Sequence, residues 1–408
     1  MHKVTFWLSV LLIFQIPWED AVTVGSLGTL ARATGIVVAA FWAATVLITG
    51  RFRKPRRFHL VAYLFVLWNI VSILWSWDAD GTIERIKTYA QLLVLLIITW
   101  DLYDGPEALV AGLQSYVLGA FVLIGSTVSN YLAGIETAMY SGGRYAATGF
   151  NANDMGLILA LGIPVAWHLA VSTDNGTVVR RLKPLNLAYI PAATLAILLS
   201  GSRGSMVAAA PAFFYVLWSL QRLAPAFRVL LFATLVAAFL ASFSLVPQTS
   251  LERIATTGSS IGDADMGGRV SIWRDGIAVF SDQPLLGVGS GAFRAASERH
   301  TVAHNVFVSV LTELGIVGFS LFVALLAIAV REALNQPKSY AGFWLAILSV
   351  WMLGALVHTW EYRKQTWLFL GLVVASSALS RQREEPAART RLPVWLGLRA
   401  AGRGDQGR

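Results

Sequence analysis

Long apolar runs separated by short charged stretches dominate the chain. A membrane-crossing helix needs about 20 mostly apolar residues. Runs of this kind cover 3–17, 27–50, 59–77, 83–103, 107–130, 154–171, 185–201, 203–220, 226–246, 304–331, 339–359 and 365–380. They predict an all-α polytopic membrane protein with about twelve transmembrane helices, since a helix satisfies its own backbone polar groups in lipid. Residues 185–201 and 203–220 form a tight hairpin around Gly201-Ser202-Arg203-Gly204. No internal repeat is visible. The expected organisation is one membrane domain over 1–380 and a basic, irregular tail over 381–408.

Residues 247–303 form the one long connection, and loops of such length are usually functional. The connection begins with the Gly/Ser-rich stretch Thr256-Thr257-Gly258-Ser259-Ser260. Within 267–280, Arg269, Trp273 and Phe280 share a helical spacing, as do Val270, Trp273 and Ile277. This pattern predicts an amphipathic helix along the membrane surface. Pro284 to Gly291 reads as a turn-rich return, and His304-Asn305 opens the next span.

Composition agrees with this class. Of 408 residues, 56% are hydrophobic and 13% charged, about half the charge of a soluble domain. Mean hydropathy is +0.62. Cysteine is absent, which excludes disulfides, thiolate metal sites and a Cys nucleophile. The net charge of +9 is not gathered on one soluble face, so it does not indicate a nucleic-acid partner. Phe6 to Ile16 is apolar, but the following Pro17-Trp18-Glu19-Asp20 offers no small-residue cleavage site, so this segment is expected to be retained as the first span.

Lys and Arg placement sets the orientation. The basic stretches Arg51 to Arg57, Arg180 to Lys183, Arg222 to Arg228, Arg331 to Lys338 and the tail from Arg381 fall on one side with both termini. That side is expected to be cytoplasmic. Parity supports twelve spans, and ten or fourteen would satisfy it as well. Glu19-Asp20 and Asp78-Ala79-Asp80 mark the outer side. Against this bias, Arg144, Arg203, Arg253, Arg269, Arg274, Arg294 and Arg299 also fall outside. An anionic ligand explains them, because the guanidinium fork matches phosphate oxygens.

His304 stands at the outer mouth of a span. It reads either as a hydrogen-bonded interfacial histidine or as a group that exchanges a proton near neutral pH. The displaced arginines favour the second reading. Arg203 is either a snorkelling anchor or a functional charge held close to the bilayer. Arg269 is a solvated loop arginine or a ligand-binding one. Asn153-Asp154 reads first as a helix cap and second as a sugar-binding pair. Glu361-Tyr362-Arg363-Lys364 is a further charged outer connection with the same two readings. Arg32, Arg85 and Lys87 are anchors or cavity-lining groups. Asp263-Ala264-Asp265 matches an Asp-x-Asp metal pattern, but three residues in a Gly/Ser context do not carry a metal site. Gly287-Val288-Gly289-Ser290-Gly291 lacks the βαβ unit of a dinucleotide loop and reads as a turn.

Taken in order, Ser200-Gly201-Ser202-Arg203-Gly204-Ser205, Gly268-Arg269 through Trp273, Gln283-Pro284-Leu285-Leu286-Gly287-Val288-Gly289, and Ala303-His304-Asn305 with Glu313-Leu314-Gly315-Ile316-Val317-Gly318 resemble the O-antigen ligase superfamily. These are polytopic glycosyltransferases that include O-antigen ligases and Wzy-type polymerases. The resemblance is strongest over 200–320. It implies an undecaprenyl-pyrophosphate-linked glycan donor and an acceptor that is either lipid A-core oligosaccharide or a growing glycan. It also implies metal-independent, inverting transfer at the periplasmic face of the bacterial inner membrane, with no cofactor. Carried over, it assigns pyrophosphate binding to Arg203 and Arg269 and general-base catalysis to His304. Arg294, Arg274, Asn305, Asn153 and Asp154 are further candidates for substrate binding. The outer loop is short for a ligase, which leaves ligase and polymerase open.

Overall fold

A computed structural model describes residues 1–25, 28–137, 143–172, 180–255 and 268–389. The described residues form α-helices joined by turns, with one isolated β-bridge between Thr23 and Thr29. In chain order the helices are α1 (His2–Gln15), α2 (Leu30–Thr49), α3 (Arg57–Val71), α4 (Ala79–Leu102) and α5 (Pro106–Leu132). Next come α6 (Ala152–Val171), α7 (Lys183–Leu199), α8 (Arg203–Ser219), α9 (Pro225–Leu245) and the short α10 (Gln248–Ala255). The chain continues through α11 (Arg269–Asp282), α12 (Phe293–Ala296), α13 (Val306–Leu334), α14 (Lys338–Ala355) and α15 (Lys364–Arg389). The tail expected to be irregular from 381 is helical through Arg389.

Helices occupy all twelve apolar runs. Six of the described helices are long and apolar enough to cross a membrane: α2, α3 with its 3-10 extension to Leu74, α5, α6, α9 and α13. The others fall short for local reasons. Helices α1, α7 and α8 have 14, 17 and 17 residues. Helix α4 opens on the polar turns that carry Asp80, Glu84, Arg85 and Lys87.

Burial separates the helices into two kinds. In α6, 89% of the apolar window lies inside the protein, whereas in α9 only 11% does. Helix α9 exposes Val229, Leu230, Phe239 and Leu240. An apolar surface of this extent is stable against lipid and not against water. The chain is a membrane protein.

Hydrogen bonds sort the interhelical connections into two sets. In one, the backbone N–H of Arg53 donates to Asp101 Oδ1 (2.8 Å), and Arg381 pairs with Glu332. In the other, Arg363 bonds Asp20 (3.0 Å), Trp77 N–H bonds the Val288 carbonyl (2.9 Å), and His304 N–H bonds Thr359 Oγ1 (2.9 Å). The second set includes His304.

Helix α13 is interrupted at Gly315 (φ 61°, ψ −168°). The glycine-rich return inserts there. Val288 and Gly289 N–H groups donate to the Thr312 and Glu313 carbonyls (3.1 and 2.9 Å). Ile316 N–H donates to the Pro284 carbonyl (2.9 Å), and Trp68 Nε1–H to that of Leu314 (2.9 Å). Broken helices persist at membrane depth only when their freed groups are satisfied in this way. A Cβ on Gly287, itself at φ 69°, would lie 2.5 Å from the Glu313 backbone. Gly287 to Gly291 is therefore a turn that plugs a helix break.

Candidate functional site

His304 is the last residue but one before α13. It adopts φ 50°, a left-handed conformation uncommon outside glycine. Such strain persists only where neighbours enforce it. Here Asn305 caps α13, its side chain accepting from Phe307 and Val308 N–H (2.9 and 3.1 Å). Asn305 also donates to the Leu356 carbonyl (3.1 Å). Trp273 of α11 donates to the Ala303 carbonyl (3.1 Å). The backbone around His304 is thus fixed from three sides: α13, α11 and the connection from Leu356 to Arg363.

The charges around it are specific. Burial, then the Arg269 cation and His358, hold the His304 imidazole below its ordinary value of 6.5, while Asp154 opposes them. These influences favour the neutral imidazole, the form that can accept a proton. His358 is buried and also lowered, first by burial. Its Nδ1 lies 3.0 Å from the Gly354 carbonyl, and its Nε2 has no hydrogen-bond partner among the described residues. Asp154 is held by Trp360 Nε1 (2.7 Å) and by Arg363 (3.2 Å).

The α7–α8 hairpin closes another side. Ser202 caps α8 by accepting from Ser205 N–H (3.3 Å), which leaves Arg203 as the first helical residue, half-buried. Gly204 lies against Val357 and His358, where a Cβ would be 3.2 Å from Val357 Cγ2 and 3.8 Å from His358 Cε1. Arg144 is buried and ties the hairpin to α6, donating to the Ser200 carbonyl (2.8 Å) and to Asn153 Oδ1 (2.9 Å). The cap of α6 is Asn151, which accepts from Asn153 N–H (2.8 Å), rather than Asn153 itself. Arg203 and Arg269 each begin a helix. A cation there opposes the helix dipole, whereas an anion would be favoured by both the dipole and the guanidinium.

Beyond Thr359 the character changes. A cavity of about 360 Å³ is lined by Arg85, Glu313, Arg294, Phe293, Thr359 and Tyr362, among others. Arg85 pairs with Glu361 (3.5 Å) and lies 3.6 Å above the Tyr362 ring. Burial pushes the Glu361 carboxyl up to about 7 against the pull of Arg85, with Glu313 adding to the rise. Ser309 donates to Glu361 (2.8 Å), and Gly291 N–H donates to Glu313 (2.7 Å).

The structure thus gathers His304, Arg269 and Asp154 with the α8 start at Arg203. Asn153 and Asn305 stand in the same region with their side chains engaged in the bonds above. Arg294 lies apart on the cavity rim, and Arg274 is exposed on α11. The face that α11 buries is Ile272 with Gly276, docked on α13, and Ile277 of the expected apolar stripe is exposed. Asp263-Ala264-Asp265 lies outside the described residues, as does the side chain of Arg253. Among the described residues no group of three His, Asp or Glu could hold a metal ion. Sequence reasoning missed His358 and Trp360. The available signal was the density of polar residues in one short connection, from His358 to Lys364.

A search of curated proteins returns no match. Residues 188–323 match the family model described as O-Antigen ligase, a segment that contains Arg203, Arg269 and His304. Over this third of the chain, the sequence is similar to the O-antigen ligase superfamily.

Proposed function

We propose that the protein is a membrane glycosyltransferase of the bacterial inner membrane. It transfers a glycan from undecaprenyl pyrophosphate to lipid A-core oligosaccharide at the periplasmic face. The observation that carries this reading is the strained His304, its backbone held by Thr359 and by the neighbouring Asn305 cap, on the connection that Gly204 of α8 packs against at Val357 and His358. The twelve apolar helices then run alternately across the bilayer, with 247–303 on the periplasmic side.

The acceptor hydroxyl is a poor nucleophile and gains from a base within hydrogen-bond reach. His304 takes its proton as the acceptor oxygen bonds to the anomeric carbon. The bond from that carbon to the phosphate oxygen breaks, and the pyrophosphate leaves with the electron pair. Arg203 and Arg269 neutralise the charge that develops on it, the type of preorganised stabilisation that dominates much of catalysis. Attack opposite the leaving group inverts the anomeric centre. Asp154, held by Trp360 and Arg363, positions this region from α6.

A polymerase that extends a lipid-linked glycan would use the same donor. The purified protein with a defined undecaprenyl-pyrophosphate-linked donor and two acceptors, lipid A-core and a lipid-linked repeat unit, separates the two. Transfer to lipid A-core supports the ligase, and transfer only to the repeat unit supports the polymerase. No glycosidic bond with either acceptor, together with movement of labelled glycan into vesicles, would overturn both.

A further inference from the structure

The cavity beyond Thr359 differs in chemistry from the region around His304. It is bounded by the start of α4, the glycine-rich return, α13 and the connection before α15. Its wall carries Asp78, Glu84 and Glu313 against Arg85 and Arg294, so it lacks the cationic excess a polyphosphate needs. The polar groups are not loose surface charges. Glu313 is buried and fixed by Gly291 N–H, and Arg85 is fixed between Glu361 and the Tyr362 ring. A volume of about 360 Å³ is at the lower end of small-molecule sites. Fixed carboxylate and guanidinium groups with two aromatic rings, Phe293 and Tyr362, suit a molecule with many hydroxyls that both donate and accept. Excess net charge on that molecule would meet the opposing carboxylates or arginines.

The cavity also abuts the base. Ala303 and Thr359 line it, and Thr359 Oγ1 accepts the His304 N–H at 2.9 Å. With a donor pyrophosphate on the Arg203 and Arg269 side, an inverting attack must come from the other side of the anomeric carbon. The cavity adjoins His304 through Ala303 and Thr359.

We propose that this cavity seats the terminal sugar of the acceptor, and that it selects an uncharged sugar over a uronic acid, its specificity set by Arg85, Glu313, Tyr362 and Arg294. The assignment of the sugar as acceptor rests on the glycosyl-transfer reading above. The occupancy itself does not, because binding is measurable without turnover.

The test uses the full-length protein in nanodiscs and titrates a trisaccharide ending in a neutral hexose and its counterpart ending in a uronic acid. Wild type should bind the neutral compound about tenfold or more tightly than the acidic one, a difference of about 1.4 kcal/mol. Val302→Trp, which fills the cavity from its loop side, should weaken neutral binding about tenfold or more. Arg294→Ala, an exposed rim change that leaves the core intact, should weaken it about threefold. Retained binding of the lipid-linked donor verifies folding in both variants. Equal neutral binding by wild type and Val302→Trp, no binding by wild type, or preference for the uronic acid would overturn the proposal. Transfer is assayed in parallel. Neutral binding without transfer removes the catalytic reading and leaves the cavity assignment. Transfer with no effect of Val302→Trp on binding removes the cavity assignment alone.

Discussion

The two sides of Thr359 are built from the same connection and handle charge in opposite ways. On the His304 side, Arg269 and Arg203 are half-buried at helix starts, where the dipole works against them. On the Arg85 side, a single arginine is enclosed by Glu361, Glu313 and Tyr362. Removing a charge from water is expensive unless partners and hydrogen bonds compensate it. The Arg85 side meets that requirement within the protein. On the His304 side, Arg203 and Arg269 stand at helix starts against the dipole, where an anion would be favoured by both the dipole and the guanidinium. The contrast separates the half proposed to bind the donor pyrophosphate from a half that keeps its ionised groups rigid around a polar cavity.

Substitutions can break this contrast. The largest effect is expected from Arg269→Ala. It should weaken donor-lipid binding about tenfold or more, in line with about 1.5–3 kcal/mol for a hydrogen bond to a charged group. It should also move the acid limb of kcat/KM to higher pH, because Arg269 helps hold His304 below 6.5 and its removal lets the imidazole protonate sooner. An unmoved limb would detach Arg269 from the base.

A second change acts on the other half. Glu361 is raised from its ordinary 4.5 to about 7, so the native state binds this proton more tightly than the unfolded chain. That contribution is complete below 4.5 and is lost as pH rises through 7. Thermal stability of wild type should decline across this interval, and Glu361→Gln should flatten the decline. An unchanged slope would place the titration elsewhere.

The smallest effect is expected from Arg274→Ala, whose side chain is exposed on α11. Donor binding and turnover should change less than about twofold, as for most exposed charges. A larger loss would extend the cationic half to the outer face of α11.

Much of this was legible in the sequence. Apolar run length located the helices closely: the run 203–220 became Arg203–Ser219, and 107–130 became Pro106–Leu132. Counting arginines against topology marked seven, the family resemblance narrowed them to Arg203 and Arg269, and His304 stood out by its position at a span mouth. What remained hidden is non-local. Arg85 meets Glu361 across 276 positions, and no periodicity reports such a pair. The break at Gly315 was unreadable because a glycine within a long, mostly apolar run does not by itself mark a break, and only the inserted loop explains it. Asn151 rather than Asn153 caps α6, because the helix starts at Ala152 and already contains Asn153, whose N–H donates to the Asn151 side chain. His358 escaped notice since its role comes from a hairpin that packs on it, not from its neighbours in sequence.

The most direct measurement is single-turnover transfer by the purified His304→Ala protein with saturating donor and acceptor. The expected result is a fall of about 10²–10⁴ in the rate of glycosidic bond formation, with donor binding close to that of wild type. A rate within a few-fold of wild type would contradict the assignment of His304 as the base and would return it to the role of a strained interfacial residue.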